Sequence, residues 1–588
     1  MKRILSATIC LWMAFSVLQA VPAKQLRINH VQKDGTVLTV VKQGDEHCHY
    51  YTTDDGIILT KGTDGHFYYS VITGQGTLAA STQLAHAVSN RTAEEAEFVE
   101  TNKPIIANYM PQIRRNKQQA KAAPMKVSQI RPQGNPRIPV ILIQYQDVAF
   151  SEGELVHAGY TQRVSQEGYT EGRDYGSVRD YFIAQSGGLF NPQFDIIGPV
   201  TLENNRAYYG ANDWKGDDIR PAEMVLEACT LAKAEGLIPD FSVYDNDGDG
   251  IVDVLYTIYA GVGEASSEEE NSIWPHQWDF RSAMDELPEL DGVLLYSYAC
   301  NNELYGNEID GIGTFCHEFS HCLGLPDFYP TNNRSYFGMD TWDVMDYGSY
   351  NDNSHTPCGY TAYEKEFMGW KSTETLTQPC TVRLAAAHTP EGQAFKIVNE
   401  SNPDEYFLLE NRQQESWDSA LLGHGMLVMH VNYDEQEWAY NTVNNSSQQG
   451  MTILPADGEL GNISLSSRQG DPYPGIRNIT EITSFEVYEG DDIATPVTNI
   501  TESNGIISLD FMGGDPTSIT SHEAISINAL PQGIAIHAET GGQARIYAAN
   551  GILCRRASLT PGEQHIIRLP KGLYIVQMGD VSAKVVVR

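Results

Sequence analysis

The chain has 588 residues, 41% of them hydrophobic, and a formal net charge of −37 from 39 Lys plus Arg against 76 Asp plus Glu. Its length exceeds what one hydrophobic core supports and predicts about four units of roughly 150 residues, while its apolar content excludes wholesale disorder and a fibrous chain. So acidic a surface repels phosphate backbones and anionic lipid, which excludes nucleic acid as an expected partner, and it suits calcium.

In chain order, Lys2 and Arg3, an apolar run from Ile4 to Leu18 and the small-residue site Leu18-Gln19-Ala20 predict a signal peptide over residues 1–20. No later run is apolar enough for a transmembrane segment, so the expected product is secreted and extracellular, or attached to a surface by other means. Cys48, Cys229, Cys300, Cys316, Cys322, Cys358, Cys380 and Cys554 form no dense framework, and their pairing is left open. Residues 26–70 alternate apolar and polar positions around Asp34-Gly35, Asp55-Gly56 and Asp64-Gly65, which predicts a small β-rich unit. A helix-favouring stretch near 91–100 leads into residues 111–126. There Arg114, Arg115, Lys117, Lys121 and Lys126 occur without an acidic residue, as in an exposed linker open to proteolysis.

A buried strand over Ile138 to Tyr145 and a helix capped by Ser177 then open an α/β-type unit. A strand from Val254 to Tyr259 and a helix over 312–323 extend it, and the pattern changes near Trp370. Short strands from Val382 to about Phe511, including Tyr406 to Leu409 and Gly425 to Val431, read as a β-sandwich. Strands at Ala544 to Tyr547, His565 to Leu569, Leu573 to Gln577 and Ala583 to Val587 form a last β unit. The expected fold class is α+β multidomain, divided into a signal peptide at 1–20 and units at 21–126, 127–375, 376–515 and 516–588.

The decisive chemistry lies in His317-Glu318-Phe319-Ser320-His321-Cys322-Leu323-Gly324-Leu325-Pro326-Asp327. Helical positions four apart are about 40° apart in projection, so His317 and His321 face the same way and can share one Zn²⁺. Glu318 is then placed as general base and acid of a metalloprotease. Gly324 can end the helix with φ > 0, letting Asp327 return as third zinc ligand; His355, Asp340 and Asp343 are the other candidates nearby. Downstream, Met345 is suited to an apolar floor under the imidazoles, and Tyr347 to donating a hydrogen bond to a developing oxyanion.

Asp245, Asp247, Asp249 and Asp253, with Gly250 at position six and the Ile251 carbonyl at position seven, suggest a calcium loop. Tyr256 stands where an EF-hand has its bidentate Glu, so the expectation is a calcium-braced loop of another kind. Cys316 and Cys322 lie about 9 Å apart along the predicted helix and cannot bond each other there.

These motifs resemble the metzincin-clan zinc metallopeptidases, and within them the M6 or immune-inhibitor-A-like family. Ser177-Val178-Arg179-Asp180-Tyr181, Tyr259-Ala260-Gly261-Val262-Gly263-Glu264 and Ile273-Trp274-Pro275-His276 share the resemblance, which spans roughly residues 26–435. It implies a metzincin-like catalytic domain preceded by a β-rich propeptide in which Gly44-Asp45-Glu46 and His49-Tyr50-Tyr51 surround Cys48. A thiolate at Cys48 is one candidate for the fourth zinc position, against a buried or disulfide-bonded cysteine. The tail from Leu569 to Val576 and from Ala583 to Arg588 resembles the type IX secretion sorting domain of Bacteroidetes, which implies outer-membrane secretion machinery as a partner.

The sequence therefore points to a secreted zinc-dependent endopeptidase, made as a zymogen, that acts on protein or peptide substrates with Zn²⁺ and Ca²⁺ as cofactors. The rival class is a calcium-braced surface adhesin or inactive protease homologue, against which the intact Glu318 argues. An esterase or amidase would share the same metal site.

Overall fold

The structure is a computed structural model that describes residues 21–587, except for 25–26, 46–48, 75, 119–129, 214–215, 268, 285, 332–335, 515–518, 521–524, 531–532, 539–541, 549–552, 561–562 and 579–580. The expected signal peptide, Cys48 and residues 119–126 of the basic stretch lie outside the described residues. No described helix is long and apolar enough to cross a membrane.

Residues 27–84 form a six-stranded antiparallel meander in sequence order. Its tight turns use Gly35, Gly56 and Gly65 at φ of 85°, 78° and 80°, the left-handed conformation that glycine adopts without a Cβ penalty. The helix Ala93–Gln118 follows and lays Phe98 and Val99 on the sheet, so the first half of the basic stretch continues a helix rather than a linker.

The next unit is built on the strand order His276–Asp279, Ser297–Tyr305, Leu255–Val262, Arg137–Gln144 and Gln193–Thr201, parallel except for the first. Arg137–Gln144 reads as a continuous apolar run because both its faces are buried. Ile138, Val140 and Leu142 enter one core, Ile141 and Ile143 the other. Ser177 caps the helix Val178–Gln185 in a reciprocal capping box with Asp180. The helix Gly313–Cys322, called here the histidine helix, is buried along its whole length and lies in the first of these cores.

A second sheet contains Phe395–Val398, Glu405–Arg412, Gly425–Asn432 and Met451–Ile453. Leu408, Leu427, Met429 and Val431 on one face join the core around the histidine helix. Phe407, Leu409, Met426 and Val428 on the other face meet a four-stranded sheet containing Cys380–Leu384, Val497–Ser503 and Ile506–Phe511. Buried packing thus runs without a break across residue 375. The strands beyond residue 524 form two small sheets around a separate core that includes Ile534, Ile546 and Val576.

Candidate metal centre

The histidine helix begins at Gly313, where only glycine allows the close approach of the turn that follows Met345. A Cβ there would lie 1.8 Å from the Ser349 carbonyl oxygen. The helix ends as Gly324 takes φ 99°, and its amide donates to the His321 carbonyl at 2.9 Å. The reversal brings Asp327 back to the two histidines.

His317 Nε2 and His321 Nε2 are 3.0 Å apart, and Asp327 Oδ1 lies 3.1 Å from the first and 3.3 Å from the second. Each imidazole is oriented from behind: His317 Nδ1 donates to the Val344 carbonyl at 2.7 Å, His321 Nδ1 to the Leu325 carbonyl at 2.8 Å. With the ring protons on Nδ1, both Nε2 atoms carry bare lone pairs, and their 3.0 Å approach is not a hydrogen bond. Asp327 Oδ1 is buried and receives no hydrogen bond from the described residues. Three acceptors thus converge in a buried position, an arrangement that a divalent cation neutralises, and two imidazoles with one carboxylate suit zinc.

Asp327 is fastened from far along the chain. Asn441 Oδ1 accepts the Asp327 amide at 2.7 Å, and Asn441 Nδ2 donates to Asp327 Oδ2 at 2.6 Å. Asn441 is buried at φ 52°, a conformation that Asn tolerates better than most residues. Nothing local in the sequence marks it, because 114 residues separate the pair.

Glu318 is fully buried, and desolvation drives its carboxyl well above the ordinary glutamate value. Its Oε1 accepts the backbone N–H of Val21 at 2.9 Å, and its Oε2 has no partner among the described residues. The segment Val21–Lys24 therefore lies across the Glu318 carboxyl. Trp274 Nε1 donates to the Val21 carbonyl at 2.9 Å, and the Tyr350 hydroxyl to the Pro22 carbonyl at 2.7 Å. The N-terminal sheet is anchored alongside by Lys42, whose ammonium reaches Glu264 Oε1 at 3.1 Å, and by His49 Nε2 at 3.1 Å from the same oxygen.

The other expected site residues fall as follows. Met345 is buried in the core that holds the histidine helix. Tyr347 opens the turn after it, half-buried, its ring 6.4 Å from that of Tyr350. The remaining third-ligand candidates are engaged elsewhere: His355 with Asp174 at 2.6 Å, Asp340 with Arg468 at 2.5 Å, and Asp343 with the Met345 amide at 2.8 Å. Asp245, Asp247 and Asp249 bring one carboxylate oxygen each within 4.8 Å of one another, mostly exposed. Asp253 instead turns Oδ2 to the Asn246 amide at 2.8 Å, and Ile251 begins a short strand. Cys316 and Cys322 are buried on the histidine helix, away from the three converging ligand atoms.

The profile of the immune inhibitor A peptidase M6 catalytic domain matches residues 144–373. Immune inhibitor A of Bacillus thuringiensis subsp. alesti is 27% identical over 228 residues, which cover 34% of this chain and 32% of that protein. Pre-pro-metalloprotease PrtV of Vibrio cholerae is 26% identical over 251 residues, 38% of this chain and 26% of that protein. The matched part thus spans about a third or less of these curated relatives. Residues 144–373 are a peptidase M6 domain, and they contain the two histidines, Glu318 and Asp327.

Proposed function

We propose that this chain is a secreted zinc-dependent endopeptidase made as a zymogen, with His317, His321 and Asp327 holding the metal. The observation that carries the proposal is the convergence of three buried acceptors beside a glutamate on the same helix, within a domain of metalloprotease kinship. Zinc, when bound, supplies a Lewis acid that polarises a carbonyl and makes a water more acidic. Glu318 takes the proton of the attacking water and returns it to the departing amine. The Nδ1 bonds to the Val344 and Leu325 carbonyls fix both imidazoles before substrate arrives. Tyr347 is the donor assigned to the carbonyl oxygen as it gains charge.

Latency is supported by Val21–Lys24, because substrate cannot reach Glu318 while the Val21 amide holds its Oε1. With residues 1–20 removed as a signal peptide, that nitrogen is a terminal ammonium and its bond to the carboxylate strengthens. Cleavage within residues 111–126 separates the N-terminal unit from the catalytic one and frees the cleft. The acidic triplet Asp245, Asp247 and Asp249 is the place for a bracing Ca²⁺, and the last β unit is assigned to export.

The test is hydrolysis of casein or gelatin by chain nicked in residues 111–126, with Glu318→Gln and a chelator as controls. Glu318→Gln should lower turnover by about 10²–10⁴-fold while zinc stays bound. One zinc per chain without hydrolysis in the parent would sink the enzyme reading in favour of a binding protein.

A further inference from the structure

The segment across the cleft is held mainly through its backbone. The Val21 amide and carbonyl and the Pro22 carbonyl are all engaged, the Ala23 amide donates to the Gly44 carbonyl at 2.7 Å, and the Lys24 amide to the Ala265 carbonyl at 3.0 Å. Such contacts accept almost any sequence. The Lys24 side chain is bound differently. Its ammonium lies 3.6 Å from the Tyr305 ring centroid, 5.1 Å from that of Tyr350, 3.6 Å from Asp310 Oδ1 and 3.3 Å from Ser354 Oγ.

All four of these residues belong to the M6 domain. Tyr305 ends the strand Ser297–Tyr305, Asp310 precedes the histidine helix, and Tyr350 and Ser354 lie in the turn beyond Met345. The socket therefore survives when the N-terminal unit departs. Its chemistry selects a cation. Burial pushes the Lys24 ammonium below its ordinary pKa, and the Asp310 carboxylate opposes that loss. Two aromatic faces and one carboxylate, with 8% and 4% of the Lys24 and Asp310 side chains exposed, stabilise a charge that the interior otherwise rejects. A neutral side chain would leave Asp310 buried with its hydrogen bonds from Gly311 and Thr314 but with the Lys24 cation lost.

We propose that the socket formed by Tyr305, Asp310, Tyr350 and Ser354 is a substrate subsite for a basic side chain, occupied in the zymogen by Lys24 as a stand-in. Polypeptides that carry Lys or Arg three residues from the one lying at Glu318, in the register of Val21–Lys24, are then the preferred substrates. This inference rests on the peptidase reading and names the substrate class of that same cleft. It also fits an acidic protein acting on basic partners, since a net charge of −37 favours their encounter.

The experiment uses zinc-loaded protein cleaved within residues 111–126 and two competing ligands, the peptides Val-Pro-Ala-Lys and Val-Pro-Ala-Gln, followed by fluorescence polarisation of a labelled Val-Pro-Ala-Lys probe. The lysine peptide should compete at least about tenfold better than the glutamine peptide. Asp310→Asn should erase the difference. Asp310 also accepts the Gly311 amide at the start of the histidine helix, so Tyr305→Leu provides a second variant on the neighbouring strand. Casein digests should show Lys and Arg enriched at the matching position, and the enrichment should fall in both variants. Equal competition by the two peptides, or binding of neither, overturns the proposal and leaves Lys24 as an anchor of the N-terminal unit. Binding is read without turnover, so absence of hydrolysis strikes the peptidase reading alone.

Discussion

Asn441 shows how the metal centre depends on one side chain outside the matched domain. Its amide binds both the backbone and the carboxylate of Asp327, leaving Oδ1 directed at the histidines. Asn441→Gly keeps the positive φ available and removes only the side chain. It should weaken zinc about 10–100-fold, the usual cost of losing a group that orients a ligand. Chelator competition measures this directly, and a cobalt-substituted sample should show an altered visible spectrum; unchanged affinity and spectrum would show that Asp327 orients itself. His317, Glu318 and His321 were legible in the sequence because one helix carries them at fixed spacing. Asp327 was legible because a glycine reversal follows that helix. Asn441 was not, since its role exists only once two distant segments pack. The same holds for Val21, Trp274 and Tyr350, whose meeting at the cleft has no signature in linear spacing.

At the level of elements, the histidine helix is positioned by contacts too close for side chains. Gly313 lies against the Ser349 carbonyl, and Gly348 in the same turn would place a Cβ 2.3 Å from the Asp343 carbonyl oxygen. Because Val344 supplies the carbonyl that orients His317, the spacing between helix and turn sets the geometry of the metal ligands. Gly313→Ala must displace the turn at a cost of about 1–3 kcal/mol. The thermal midpoint should fall, and zinc should dissociate faster in a stopped-flow chelator assay. A midpoint equal to that of the parent would mean the turn moves freely and does not fix His317. Helix and strands were legible from apolar periodicity, and so was the Ser177 cap. The reach of the helix through residues 111–118 was not, because its charged, Pro-containing sequence resembles a linker and its regularity follows from continuation of a packed helix.

Across the whole molecule, the M6 domain does not close its own core. Leu408, Leu427, Met429, Val431, Trp438 and Met451 pack in the core that holds the histidine helix. Arg412, wholly buried, donates to the Trp342 carbonyl at 3.1 Å and the Gly359 carbonyl at 3.1 Å, and is neutralised by Asp418 and Glu410. The change of pattern near Trp370 marks where helices give way to strands, and nothing in a linear pattern shows that those strands fold back onto the core around the histidine helix. A chain ending at residue 375 loses eleven residues of that core, and the six named above alone are worth roughly 1.5–3 kcal/mol each, comparable in sum with the ~5–15 kcal/mol that stabilises an entire domain. It loses Asn441 as well. That truncation should express as an aggregating chain that binds no zinc and gives no cooperative unfolding by circular dichroism. A chain ending at residue 520 loses only the separate core around Ile534, Ile546 and Val576, and should keep both zinc and the unfolding transition of the rest. If the shorter chain folded cooperatively with one zinc bound, the shared core would be dispensable, and the segment from 376 onward would be an appendage rather than half of the catalytic unit.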